Sequence, residues 1–219
     1  ISNKKNNQEI FDGITSRHVN AYYSTIVKGL TAKVFRTYLA SSVVSKYLRA
    51  HDNIKSESNM KKLFHAKLAN LDAAKMCNHK RTIPKNFDQT LEKKKNTLND
   101  VEKAKPWQKY EESLKKTQSK IIKTEVQRET QKKQIKKIKT MIKKKKEKHT
   151  ERIEKLQLQI DLTQKTRDYN LGTSLRNYID PRIFQSWTDE VAAEWEKLYT
   201  SALQKKFLWV KNIDSKWSE

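Results

Sequence analysis

Apolar residues recur along this chain in three different rhythms. Around "GLTAKVFRTYLASSVVSKYL" (Gly29–Leu48) they are dense and spaced for a helix. Thr31 is placed to cap that helix, and Leu30 and Phe35 have the spacing of a hydrophobic staple. Val34 and Phe35 are expected to face the core, with Arg36 partly aside. A second helix is predicted where Met60, Leu63, Phe64, Leu68, Leu71 and Ala74 keep mostly helical intervals, and Pro84 of "MCNHKRTIPK" should close it. From Asn86 to Thr166 the aliphatics thin out but stay in register. Leu91, Leu98 and Val101, then Trp107, Tyr110, Leu114 and Ile121, then Ile135, Ile138 and Ile142, then Ile153, Leu156 and Ile160 follow heptad-like steps. That seam predicts two long helices folded back as an antiparallel coiled-coil hairpin, interrupted at Pro106 and reversing near Lys120 to Lys132. From Arg167 onward the rhythm changes again. Asp180 and Pro181 have the grammar of an N-cap and first helical residue, and Phe184, Trp187, Val191, Trp195 and Leu198 make an apolar helical face. A last helix should carry Leu203, Phe207 and Val210. No strand alternation is visible, so the class is all-α, in three zones, 1–85, 86–166 and 167–219.

Composition narrows the function. The 219 residues carry 48 Lys and Arg against 25 Asp and Glu, a formal charge of +23. With 33% of residues charged and 35% hydrophobic, one large core is not expected. So basic a chain is expected to bind a polyanion, nucleic acid first and an anionic membrane surface second. No apolar run has the length of a membrane span, and no secretory signal opens the chain. The lone Cys77 fits a reducing compartment. The chain starts at Ile1 rather than Met, so a fragment is expected. No phosphate-binding glycine loop, C-x-x-C pair or H-E-x-x-H motif is present, so no cofactor and no metal are expected. Lys143, Lys144, Lys145 and Lys146 form a cationic stretch of the hairpin, read either as an ordinary solvated face or as a rod lying near phosphates.

Three polar residues in apolar settings complete the picture. Arg36 alone reads as a surface arginine, His79 as a helix-terminal histidine, and Tyr178 as a packing tyrosine at a corner. Together they suggest phosphoryl chemistry. Arg and His hold the charge of a phosphorus centre in transition, and a phenol serves as nucleophile. A helix N-terminus beside Tyr178 would favour an anion there, and Gly172 would free the chain to deliver the side chain.

"GLTAKVFRTYLAS", "MCNHKRTIPK" and "LGTSLRNYIDPR" resemble, in order, three blocks of the eukaryotic type IB DNA topoisomerases, with a Lys-rich hairpin between the second and third as in that family. The resemblance runs from about Phe11 to Val210. It implies that 1–85 is the end of a catalytic core, 86–166 a linker and 167–219 a C-terminal domain holding the active-site tyrosine, Tyr178. It implies that Arg36 and His79 are catalytic, that Asn177 lies where camptothecin-type poisons bind, and that the linker lies near DNA. The implied activity nicks duplex DNA through a 3′-phosphotyrosyl bond, relaxes supercoils and reseals, without ATP or metal. A monomeric nuclear enzyme is implied. The family's second arginine and its general-acid lysine come from a region with no matching motif here, so these residues alone should be inactive or severely impaired without the upstream core. A non-catalytic basic coiled-coil protein that binds nucleic acid is the rival reading. A tyrosine recombinase shares the Arg–His–Tyr chemistry but places its tyrosine without such a hairpin.

Overall fold

The computed structural model describes residues 5, 8 and 11–212, so the outer ends of the first and third zones lie outside the described residues. Two compact units emerge. One joins residues 1–82 to 168–219; the other is formed by 83–167. Apart from one isolated backbone bridge, secondary structure among the described residues is helical.

The first unit opens with α1 (Ser16–Ile26), whose Val19, Tyr22, Tyr23 and Ile26 keep helical spacing although no residue of it is buried. Helix α2 (Ala32–Arg49) follows. Thr31 is its N-cap by position, yet its side chain makes no capping bond. The Ala32 N–H instead donates to Asn20 Oδ1 of α1 at 3.0 Å. The core face of α2 is Ala40, Ser41, Val44 and Leu48. Val34 and Phe35, expected inside, are 48% and 46% exposed, because the helix turns its Ala40–Val44–Leu48 stripe inward instead.

Helix α3 (Asn59–Met76) packs on α2 through small residues: Ala66, Ala69, Ala73 and Ala74 are buried with Leu71, while Met60, Leu63, Phe64 and Leu68 are only half-buried. Alanine at the contact lets two helix backbones approach closely, which larger side chains would prevent. Pro84 does not close α3. The helix stops eight residues earlier, where Asn78 takes the left-handed conformation (φ 54°) and the His79 N–H donates to Ala74 O at 2.8 Å.

After the second unit the chain returns through α7 (Leu171–Asn177) and α8 (Pro181–Val191). Asp180 caps α8 by accepting from the Arg182 N–H at 2.9 Å, with Pro181 first in the helix. The apolar face expected to continue to Leu198 is broken. Ala192 is left-handed (φ 53°), α8 ends, and Trp195 and Leu198 sit in a separate 3₁₀ turn. The Lys62 amine, 5% exposed, donates to Ala192 O and satisfies that helix end. Helix α9 (Ser201–Lys206) and a 3₁₀ turn (Leu208–Asn212) complete the unit. Phe184, Trp187, Val191, Trp195, Phe207 and Val210 join Ala40, Val44, Leu48, Ala66, Ala69 and Ala73 in one core. Large side chains buried this way are worth about 1.5–3 kcal/mol each.

In the second unit, α4 (Phe87–Lys103) and α5 (Gln108–Gln118) run antiparallel to the single helix α6 (Glu125–Lys165). Pro106 falls in the break between α4 and α5. The antiparallel order is read from the pairs: Lys94 with Thr163, Val101 with His149, Glu111 with Lys146, Thr117 with Gln131. The reversal occupies 119–124, at the early edge of the predicted interval. It is marked by a capping box in which Thr124 Oγ1 accepts from the Gln127 N–H and Gln127 Oε1 accepts from the Thr124 N–H, each at 3.3 Å. Ile121, assigned to the seam, is 88% exposed in this connection. The other seam residues are half-buried except Val101, which is buried along with Phe87 and Thr117, as befits a two-layer hairpin.

Candidate active site

Tyr178 is the residue after α7, held between two helices by backbone geometry. Its N–H and that of Ile179 both donate to Ser174 O, at 2.9 and 3.1 Å. Two residues on, the Asp180 N–H donates to Ser41 Oγ of α2 at 3.0 Å, and the same hydroxyl lies 3.5 Å from Tyr178 O. The corner is thereby tied to the helix that carries Arg36. Gly172 does not loosen it. It lies within α7, with its N–H donating to Asn170 Oδ1, and an added Cβ would meet that oxygen at 3.3 Å. Nor does Tyr178 open a free helix N-terminus: it closes α7, and the first turn of α8 is covered by its own Asp180.

Three predicted residues converge here. The His79 ring centroid is 5.1 Å from that of Tyr178, and the Arg36 guanidinium carbon is 5.7 Å from the Tyr178 ring. One turn earlier on α2, the Lys33 amine stands 5.9 Å from the same ring. Cations at these distances from a ring face are attracted by its quadrupole, and together they set two positive charges beside one phenol ring. Burial and the Arg36 charge hold the His79 imidazole below the ordinary histidine pKa, favouring its neutral form. Burial pushes the neighbouring Cys77 thiol up, partly offset by Arg36.

His79 is positioned from two sides. Its carbonyl accepts from the Asn170 N–H at 2.8 Å, beside the isolated backbone bridge between Lys80 and Tyr169. Its Nδ1 is 2.7 Å from Ser174 Oγ. Ser174 and Ser41 were not visible as site residues in the sequence: a serine inside a helix carries no signal of its own. Asn177 is exposed, immediately before Tyr178.

The four lysines of the hairpin do not form one uniform set. Lys143 is exposed and lies 3.9 Å from Glu147, and Lys144 is exposed. Lys145 is half-buried. Lys146 pairs with Glu111 of α5 at 3.1 Å and sits over the Trp107 ring at 5.3 Å, so it holds the hairpin together.

An all-helical unit thus gathers a tyrosine, a histidine and an arginine at one corner. Residues 1–114 match the family model described as eukaryotic DNA topoisomerase I, catalytic core, and residues 150–219 match the one described as C-terminal topoisomerase domain. The chain belongs to the eukaryotic DNA topoisomerase I family. It is 31% identical over 209 residues to DNA topoisomerase 1 of Caenorhabditis elegans, covering 95% of this chain and 23% of the relative. It is 30% identical to DNA topoisomerase 1 of Drosophila melanogaster, covering 95% of this chain and 19% of that protein. It is 28% identical to the human DNA topoisomerase I, mitochondrial, covering 95% and 33%. The chain thus spans between a fifth and a third of the length of these relatives.

Proposed function

We propose that this chain supplies the nucleophile and two phosphate-stabilising donors of an enzyme that nicks and reseals duplex DNA. The observation that carries this is the convergence of His79 and Arg36 on Tyr178, at 5.1 and 5.7 Å. The Tyr178 oxygen attacks a backbone phosphorus, the bond to the 5′-oxygen breaks, and a 3′-phosphotyrosyl bond forms. The phenolic proton is released and a proton is taken up by the departing 5′-oxygen. Arg36 and His79 donate to the non-bridging oxygens, whose charge grows at the five-coordinate phosphorus. The phosphotyrosyl bond conserves the energy of the broken diester, so resealing by the 5′-hydroxyl needs neither ATP nor metal, and rotation before resealing relaxes supercoils.

Residues 83–167 are proposed to act as the linker, with Lys143 and Lys144 beside phosphates. Asn177 is proposed to contact poisons lodged at the nick; an unchanged poison response in Asn177→Ala refutes that contact. The working enzyme is proposed to be longer than this chain, to act as a monomer and to work in the nucleus. The exposed apolar side chains of α1 and α2, among them Tyr22, Ile26, Tyr38 and Leu39 at 51–65% exposure, support a further packed partner. Light scattering and cell fractionation test state and place.

The decisive experiment traps the complete enzyme on supercoiled DNA with detergent. The 3′ end should be covalently attached, and Tyr178→Phe should abolish the adduct. An adduct surviving in the Phe variant removes Tyr178 as nucleophile. Salt-sensitive DNA binding without any adduct from wild type favours instead a basic, non-catalytic nucleic-acid scaffold, a reading supported by the Lys-rich surface of α6.

A further inference from the structure

The proposed chemistry requires His79 to donate a hydrogen bond, and a neutral imidazole has only one hydrogen to give. Ser174 bears on which nitrogen holds it. Its side chain is fully buried (0% exposed), and among the described residues its hydroxyl has one side-chain partner, His79 Nδ1 at 2.7 Å. A buried hydroxyl is stabilised by donating its proton to an acceptor. If Ser174 donates to Nδ1, then Nδ1 carries no hydrogen and Nε2 must. Among the described residues, Nε2 has no hydrogen-bond partner and is the nitrogen left for a phosphoryl oxygen. Ser174 also holds the nucleophile, because its carbonyl receives the Tyr178 and Ile179 N–H groups. One residue of α7 therefore touches both the donor and the attacking side chain's backbone.

We propose that the Ser174 hydroxyl fixes His79 in the tautomer that keeps its hydrogen on Nε2, making Ser174 a positioning residue for phosphate stabilisation. The proposal rests on the reading of His79 as a phosphate donor. It is the neutral imidazole that needs this help, and burial and Arg36 favour that form. The imidazolium carries hydrogens on both nitrogens, so protonation makes Ser174 dispensable. Facing the ring are Arg36 from α2 and Tyr178 from the corner, with Lys33 of α2 over the same tyrosine ring; Cys77 and Lys80 flank His79 in the chain, and Arg81 and Asp168 meet at the backbone beside it. Between about pH 5 and 8, histidine is the one among these side-chain types that ordinarily changes charge.

The test is single-turnover cleavage by the complete enzyme, as the ratio of variant to wild type across that pH range. Ser174→Ala should cleave about 5–10-fold more slowly at the upper end, less than the ~10²–10³ lost when a donor is removed outright. The deficit should close as pH falls, and Ser174→Thr, which keeps the hydroxyl, should restore most of the rate. In a His79→Ala background, Ser174→Ala should add no further loss. A deficit equal at both ends of the range, or one that persists without His79, reduces Ser174 to a packing residue and overturns the proposal. So does wild-type cleavage by Ser174→Ala at high pH. If His79→Ala itself cleaves at the wild-type rate, the phosphate-donor reading has failed and the Ser174 proposal falls with it.

Discussion

Replacing Ser41 by Ala should loosen the tyrosine corner by a measurable amount. Ser41 lies on α2 and is 1% exposed, and its Oγ accepts the Asp180 N–H at 3.0 Å. Alanine leaves that N–H facing the interior without an acceptor, which costs about 1–3 kcal/mol, more than the ~1 kcal/mol net worth of an ordinary hydrogen bond. The N-cap of α8 is formed by the Asp180 side chain to the Arg182 N–H at 2.9 Å, so it survives the substitution and limits the damage to the corner. At a few degrees per kcal/mol, the midpoint of thermal unfolding should fall by about 3–10 °C. Circular dichroism reads that shift, and single-turnover cleavage reads the displacement of Tyr178, whose carbonyl lies 3.5 Å from the same hydroxyl. A midpoint within about 1 °C of wild type, with full cleavage, would mean that the tie between α2 and the corner carries no weight.

Three other perturbations separate parts of the structure. Tyr199 is buried, its hydroxyl has no partner among the described residues and burial pushes its pKa up, so Tyr199→Phe should be neutral or stabilising in denaturant unfolding, whereas a loss above ~1 kcal/mol would show a further partner. His79 has a depressed pKa, so the native state resists its protonation; stability should fall as pH drops below about 6.5, and His79→Gln should flatten that acid-side slope relative to wild type. Lys143→Gln with Lys144→Gln should make the log–log salt dependence of DNA binding shallower by up to ~0.9 for each phosphate no longer neutralised, while Lys146→Gln should instead loosen the α5–α6 packing and lower the hairpin's melting point.

What the sequence revealed depended on the size of the residues that carry each contact. Helices α2, α3 and α8 were legible because their apolar residues recur at helical intervals, and the Asp180–Pro181 start of α8 because capping chemistry is local. The buried face of α3 was only partly placed: Leu71 and Ala74 are buried as counted, but Ala66, Ala69 and Ala73 were passed over because alanine carries little weight in an apolar count. Helix α1 was missed although Val19, Tyr22, Tyr23 and Ile26 keep helical spacing, because the surrounding polar, Asn-rich residues masked the pattern. The chain reversal lacks Gly and Pro, yet Thr124 and Gln127 spell a capping box that could have located it. Arg36, His79 and Tyr178 were singled out as an electrostatic set from their chemistry and the resemblance, and the fold places them around one ring. Lys33, Ser41 and Ser174 were out of reach, since their relevance comes from pairings 95 to 139 residues apart for the serines and from helix phase for the lysine.

The bridge at Lys80 and Tyr169 also bears on how such a chain can change over time. Arg81 N–H to Asp168 O and Asn170 N–H to His79 O, at 2.9 and 2.8 Å, bring the exit and re-entry points of 83–167 together within the first unit. Whatever length of polypeptide departs there comes back to the same place, and doubling a flexible excursion costs only about 0.6 kcal/mol in closure entropy. Insertions and deletions in that excursion can therefore accumulate without shifting the register of His79 against Tyr178. Tyr178 sits far downstream of Arg36 and His79 in sequence but is insulated from drift in the segment that separates them.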